Sequence, residues 1–314
     1  MPNLQKNAFL RELESRYGGV KRLSNSLSLY DIGGGLARVY IRYSRLHNRN
    51  QAFYGLRKED LLLLEGRNAV ICFLWDNQKE PLFITYSDFE DVFNSLEPAS
   101  DGQYKVQVFS QPDGTEFYIA KAGRFNVERF FGWLNLDAMI DKSRLVKLPD
   151  LSHSQIQTLL GSIGTAKGYD IWIPPIDRNK LDWELTERFC CREEIPSRFE
   201  ALQDVIREID VIWMQRGASK LRAMFEVEHS TTIYSALLRF NDFYLAEPNA
   251  MAKFNIVADD VRRSLFLRQI NRPTFRSSGL AEICNFLEYR DVFGWFHRIV
   301  RRQANEKDLD SSAR

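Results

Sequence analysis

Two patterns of hydrophobic and polar positions divide the chain. Through residues 1–140 the apolar residues come in short blocks, alternating or continuous, rich in β-branched and aromatic side chains. "LARVYIRYSRL" (36–46) alternates apolar and basic residues, and "NAVICFLWD" (68–76) is continuously apolar; both predict strands. "PLFITYSDFEDVFNSL" predicts a strand passing into a helix with Ser87 as N-cap. "YKVQVFSQPDGTEFYIAKAG" predicts two strands joined by the turn Pro112-Asp113-Gly114. A helix over 3–16, with Leu4, Phe9, Leu10 and Leu13 at helical spacing, precedes them all. These elements predict a β-rich α+β domain over residues 1–145.

The pattern changes after "DKSRLVKLPDLSHSQ" (141–155), a polar stretch with a proline that ends in helix-capping residues. Next come a helix, a stop at Gly168 and a strand at 169–173. "IDVIWM" (209–214), the turn Gln215–Ala218 and "KLRAMFEVE" (220–228) make a hairpin, which runs into a helix over 231–246. "KFNIVAD" (253–259), a helix over 260–270, the strand "CNFLEY" (284–289) and a closing helix "VFGWFHRIVRR" complete the order. From the first helix this reads α-β-β-β-α-β, a mixed sheet flanked by helices in an α/β domain over 150–302. Residues 303–314 are polar, lack periodicity and predict a disordered tail.

Composition alters this picture little. With 44% hydrophobic and 27% charged residues, the chain is that of an ordinary globular protein. No apolar stretch approaches the roughly 20 residues that span a bilayer, and the N-terminus lacks the continuous apolar region of a secretion signal. Cys72, Cys190, Cys191 and Cys284 show no zinc or disulfide spacing, which suits a reducing, cytoplasmic compartment. Net charge is +1, yet residues 1–50 carry nine Lys/Arg against three Asp/Glu. Such a local basic face either holds phosphates or is a solvated surface.

The chemistry concentrates in "MFEVEHSTTIYSALLRF" (224–240). Residues i and i+2 of a strand share a face, so Glu226 and Glu228 point one way and Val227 the other. The hairpin brings Asp210 alongside them. Three carboxylates in one region repel unless a cation bridges them, and oxygen-only ligation suits Mg²⁺. By itself an E-x-E in a strand is ordinarily a solvated face. His229 reads either as a ligand or as a packing residue at the strand-to-helix turn, where Ser230 and Thr231 offer N-caps. Ile233, Leu237, Phe240 and Tyr244 form a core stripe. Arg239 lies off it, positioned for a phosphate or a salt bridge.

The acid in one strand, the turn, the apolar strand ending in acid-x-acid and the following helix together resemble the PD-(D/E)xK nuclease fold of restriction endonucleases. The likeness covers residues 154–290, through "IQTLLGSIGTAKGYDIWI", "IDVIW", "AMFEVEHSTTIYSALLRFNDF", "FNIVAD" and "INRPTF". "EVEHSTTIYSALLRF" is similar to a block in bacterial restriction-endonuclease-like proteins. The resemblance implies a restriction-endonuclease-like mixed sheet, with Asp210 as the motif's first acid, Glu226 as its second and Glu228 where the family carries lysine. It implies Mg²⁺ (or Mn²⁺) bound by Asp210 and Glu226 with the Val227 carbonyl, and Glu228 holding a second ion or taking a proton from water. The helix that often supplies a further Glu offers Gln155 and Gln157 instead, with Asp170 and Asp177 beside the next strand. Double-stranded DNA, possibly modified, is the implied substrate, and a homodimer the implied assembly. Two readings stand beside this one: a catalytically inactive DNA-binding or regulatory protein that keeps the fold, and a nuclease for RNA or branched structures.

Target choice falls to the first domain. In "RVYIRYSRLHNRNQAFYGLRKEDL" (38–61), Arg38, Arg42, Arg45 and Arg49 alternate with Tyr40, Tyr43, Phe53 and Tyr54. Guanidinium groups hold phosphates and aromatics stack on bases, so this segment reads as a DNA-binding face or a solvated edge strand. Gln103, Lys105 and Arg124 are candidates for the same surface, and Arg272 is a second candidate for the DNA backbone.

Overall fold

The computed structural model describes residues 4–299 apart from 25, 48, 49, 112, 113, 146, 219, 230, 231 and 251. Their chain divides into two units, Met1–Lys147 and Leu148–Arg314.

The first unit holds two five-stranded sheets. One is mixed, in the order Lys21–Arg22, Leu29–Ile32, Ala37–Tyr43, Ala69–Leu74, Leu82–Thr85. The other is antiparallel, in the order Gly123–Asn126, Gly114–Ile119, Gln103–Gln111, Gln51–Arg57, Leu46–His47. The expected turn residues Pro112 and Asp113 lie outside the described residues. The helix after Leu82–Thr85 begins at Tyr86 with Thr85 at the N-cap position, so Ser87 sits within its first turn and is not the cap.

The basic strand of this unit differs from expectation. Ala37–Tyr43 is central in its sheet and covered on both faces. Val39 and Ile41 pack with Phe9 and Leu13 of the first helix, while Tyr40 joins a core built from both sheets. Alternate positions thus face core rather than solvent. Arg38 is only 3% exposed, gives two nitrogens to the Asp31 carboxylate and a third to the Leu63 carbonyl, and is no DNA contact. Arg42 is half-buried with its guanidinium 5.7 Å from the Tyr40 ring, and Tyr43 donates its hydroxyl to Asp76. Arg45 is exposed, and Arg49 lies outside the described residues. Phe53 and Tyr54 belong to the other sheet. Lys105 and Arg124 are paired with Asp101 and Glu116.

The second unit is a mixed α/β fold whose strands fall in the order its sequence predicts, with the short helices Pro175–Arg178, Gln203–Ile206, Pro273–Ser278 and Leu280–Ile283 in addition. Its sheet runs Tyr169–Trp172, Val211–Gln215, Leu221–Glu228, Lys253–Ala258, Cys284–Glu288. The first three strands are antiparallel neighbours, and the last two run parallel to Leu221–Glu228, the central strand. One face packs on the helix His153–Ala166 and the helical residues 289–299; the other packs on the helix Ile233–Ala246 and those that follow.

Two glycines seat the first helix. A Cβ on Gly161 would lie 2.1 Å from Phe189, and one on Gly164 2.5 Å from Trp213 Nε1. Each glycine costs a helix roughly 1 kcal/mol relative to alanine. In return the helix lies close enough for Trp213 Nε1 to donate to the Leu160 carbonyl at 3.0 Å. Ser152 and Gln155 close a capping box at its start. Residues 134–145, part of which the sequence assigns to a polar connector, form a helix instead. The predicted tail 303–314 and the end of the closing helix lie outside the described residues.

Candidate functional site

Strand parity places the acids. Ala223, Phe225 and Val227 of the central strand pack toward the first helix, while Met224 packs toward Ile233–Ala246. Glu226 and Glu228 continue the Met224 face, as an i, i+2 pair must. Both are buried, at 1% and 2% exposure. A carboxylate so removed from water needs a compensating partner.

For Glu226 the partner is basic. Arg239 Nε donates to its Oε1 at 2.7 Å and Nη2 to its Oε2 at 3.0 Å, a bidentate clamp from the helix that follows. Arg239 therefore faces inward rather than meeting a phosphate as the free protein stands. Its Nη1 lies 3.6 Å from Glu208. Burial pushes the Glu226 carboxyl up to about 8; the Arg239 hydrogen bonds pull against that shift, and the charges of Asp210 and Glu228 add to it.

Asp210 sits immediately before Val211–Gln215, at the end of the hairpin away from its turn. Its Oδ2 accepts the Val227 N–H at 2.7 Å, which ties it to the residue between the two glutamates. Its Oδ1 turns to the first helix, 3.4 Å from His153 Nε2 and 3.5 Å from Gln157 Nε2. Asp210 and Glu226 thus contact helices on opposite faces of the sheet. They remain close enough for each acid's charge to act on the site: Asp210 and Glu228 both influence Glu226 and His153. The expected convergence of Asp210, Glu226 and Glu228 on one ion is not assembled. Among the described residues no three His, Cys, Asp or Glu side chains are disposed to hold one metal ion. Arg239 occupies both oxygens of Glu226, and Asp210 turns its own to the Val227 amide and the helix His153–Ala166.

Sequence reasoning passed over His153. Burial alone would lower its imidazole, but the hydrogen bond and charge of Asp210, with Asp177 and Glu228 behind, outweigh this and raise it. The i, i+4 spacing of His153 and Gln157 was the available signal, since it sets both on one helix face. Gln155 is spent in the capping box. Gln157, wholly buried, leaves its Oε1 without a hydrogen-bond partner beside Asp210.

The remaining candidates separate. Asp170 pairs with Met214 across the sheet, at the far end of the hairpin, and meets Arg192 at 3.2 Å. Asp177 bonds Lys180. His229 is exposed at the strand end, its Nδ1 3.3 Å from the Tyr289 hydroxyl and its carbonyl accepting from Arg262; Ser230 and Thr231 lie outside the described residues.

A mixed α/β unit with acids gathered at the end of its central strand defines a class, and comparison supplies the family. Residues 138–309, more than half of the chain, match the family described as the type II restriction enzyme NmeDI C-terminal domain, and the chain belongs to that family. It is a restriction-enzyme-like protein, and DNA is the partner its family implies. No curated protein and no solved structure matches the chain. Among the described residues no helix is long and apolar enough to cross a membrane.

Proposed function

We propose that the chain is a metal-dependent DNA endonuclease of the PD-(D/E)xK type with glutamate in the usual lysine position, its target chosen by the first unit. The observation that carries this is Asp210, tied to the Val227 amide, next to two glutamates buried on one face of the central strand.

The donors fit Mg²⁺ or Mn²⁺. They are carboxylates, with the unpartnered Gln157 amide oxygen in the place of the carboxylate that a first helix often supplies; all are hard oxygen donors. Asp210, Glu228 and Gln157 would hold the ion, and Glu226 would join only as Arg239 withdraws. When bound, such an ion lowers the pKa of water and offsets charge developing on the phosphate. Glu228 would serve either as a ligand of that ion or as the acceptor for a proton of the attacking water. Arg239, released from Glu226, supplies on the same face the positive charge that the motif's lysine would bring. In the first unit, Arg42, Arg45 and the 47% exposed Phe53 remain the residues to test for target recognition.

The rival is a DNA-binding protein without catalysis, and the closed Arg239–Glu226 clamp favours it. Incubation of plasmid DNA, modified and unmodified, with Mg²⁺ or Mn²⁺ decides. Cutting by the wild type and not by Asp210→Asn supports the nuclease; no cutting of any substrate leaves the rival.

A further inference from the structure

The segment "VRRSLFLRQINRPTFRSS" (261–278) contains five arginines and no Asp or Glu. It forms the expected helix Arg263–Ile270 and a second, Pro273–Ser278, where the sequence shows only an Asn-Arg-Pro turn. Its first two arginines are anchors. Arg262 Nη1 donates to the His229 carbonyl at 2.9 Å, directly after Glu228, and Arg263 bonds Glu288 at the end of the last strand. Both contacts lie where the parallel strands of the sheet end together, beside the buried acids.

The other three arginines do something else. Arg268, Arg272 and Arg276 are exposed, and among the described residues none has a carboxylate partner. Many other arginines of this unit do, including Arg178, Arg192, Arg198, Arg239 and Arg290. The guanidinium of Arg272 lies 4.6 Å from the ring of Tyr234, which packs edge-on against Phe275. Tyr234 is in the first turn of Ile233–Ala246, six residues after Glu228. That stack orients Arg272 and brings the basic surface to the start of the helix that carries Arg239. Arg272 stands at the N-cap of Pro273–Ser278 and Arg276 within that helix.

We propose that Arg268, Arg272 and Arg276, with Tyr234 as support, form a surface that grips the phosphate backbone of duplex DNA and leads the strand to the acids. This rests on the reading of the chain as acting on DNA. It assigns part of the grip to the second unit itself.

The test is duplex binding by the full chain without divalent metal, followed by fluorescence anisotropy across a salt series. Arg272→Gln/Arg276→Gln is compared with Arg188→Gln/Arg207→Gln, a matched pair elsewhere in the unit in which Arg188 also lies over an aromatic ring, that of Trp183. Circular dichroism melts verify that both fold as the wild type does. Each lost phosphate contact lowers the slope of log K against log salt by about 0.9, so the first variant should lose about 2. Its affinity at low salt should fall more than about tenfold, while the control pair keeps the wild-type slope. Equal losses in both pairs, or none in either, overturn the surface, and the nuclease reading stands if plasmid is still cut. A wild type that binds no duplex at any salt also overturns the surface; the plasmid assay then judges the nuclease reading by itself.

Discussion

Each unit contains an arginine clamped on a carboxylate, and the two clamps behave differently. In the first, Arg38 is sealed at 3% exposure, spends its nitrogens on Asp31 and a backbone carbonyl, and lies inside a core of two sheets. In the second, Arg239 keeps 24% of its side chain exposed and faces Glu226 and Glu208, while the charges of Asp210 and Glu228 press on Glu226. The first clamp is balanced and fixes a fold. The second sits among further acids, with the Gln157 amide oxygen left without a hydrogen-bond partner beside Asp210. A buried arginine pair is therefore no sign of function by itself.

Removing the acid from each pair separates them further. Asp31→Asn leaves Arg38 charged, buried and unable to lose its proton, so unfolding titrations should show a loss of about 3–5 kcal/mol. Glu226→Gln leaves Arg239 free to turn toward water and Glu208, and also removes one member of a repelling set. The same titration at pH 7 should find a loss of about 1 kcal/mol or less. Equal losses would erase the distinction.

The pH dependence of Glu226 sharpens it. Its carboxyl titrates near 8 in the folded chain against an ordinary value of 4.5. Between those values the unfolded chain has released the proton and the folded chain has not, so wild-type stability falls as pH rises from about 4.5 through about 8. Glu226→Gln should flatten that fall in denaturation curves across the window; an unchanged profile would show that Glu226 is ionised throughout.

His153 gives the smallest effect. Its raised imidazole contributes stability that is complete below the ordinary histidine value of 6.5 and fades as pH climbs through the folded value. Metal-free His153→Ala should be less stable than wild type at pH 5.5 and nearly equal to it at pH 8.5. The difference should be well under about 1 kcal/mol, because the side chain is over one-third exposed and solvent screens it.

The second unit was legible because its elements obey simple periods. The strand 221–228 is buried on both faces, and i, i+2 parity alone places Glu226 and Glu228 together. What parity does not provide is the partner across layers. Arg239 is thirteen residues from Glu226 in the chain, and only the packing of helix on sheet aims it inward. The same limit undid the reading of Arg38. A strand that alternates basic and apolar residues looks half-solvated until a second sheet covers it, and the local pattern of residues 37–43 contains nothing of residues 51–57 or 103–111. His153 and Gln157 failed to stand out for a related reason: their significance comes from Asp210, more than fifty residues away.

The central proposal is that Asp210 and Glu228, beside the Arg239–Glu226 pair, bind a divalent cation. Titration calorimetry of Mn²⁺ into the full chain tests it most directly, with Asp210→Asn and Glu228→Gln beside the wild type and Asp31→Asn as the folded-state comparison. The account predicts binding by the wild type and by Asp31→Asn, lost or weakened more than about tenfold in the two site variants. No binding by the wild type, or equal binding by all four chains, would contradict it.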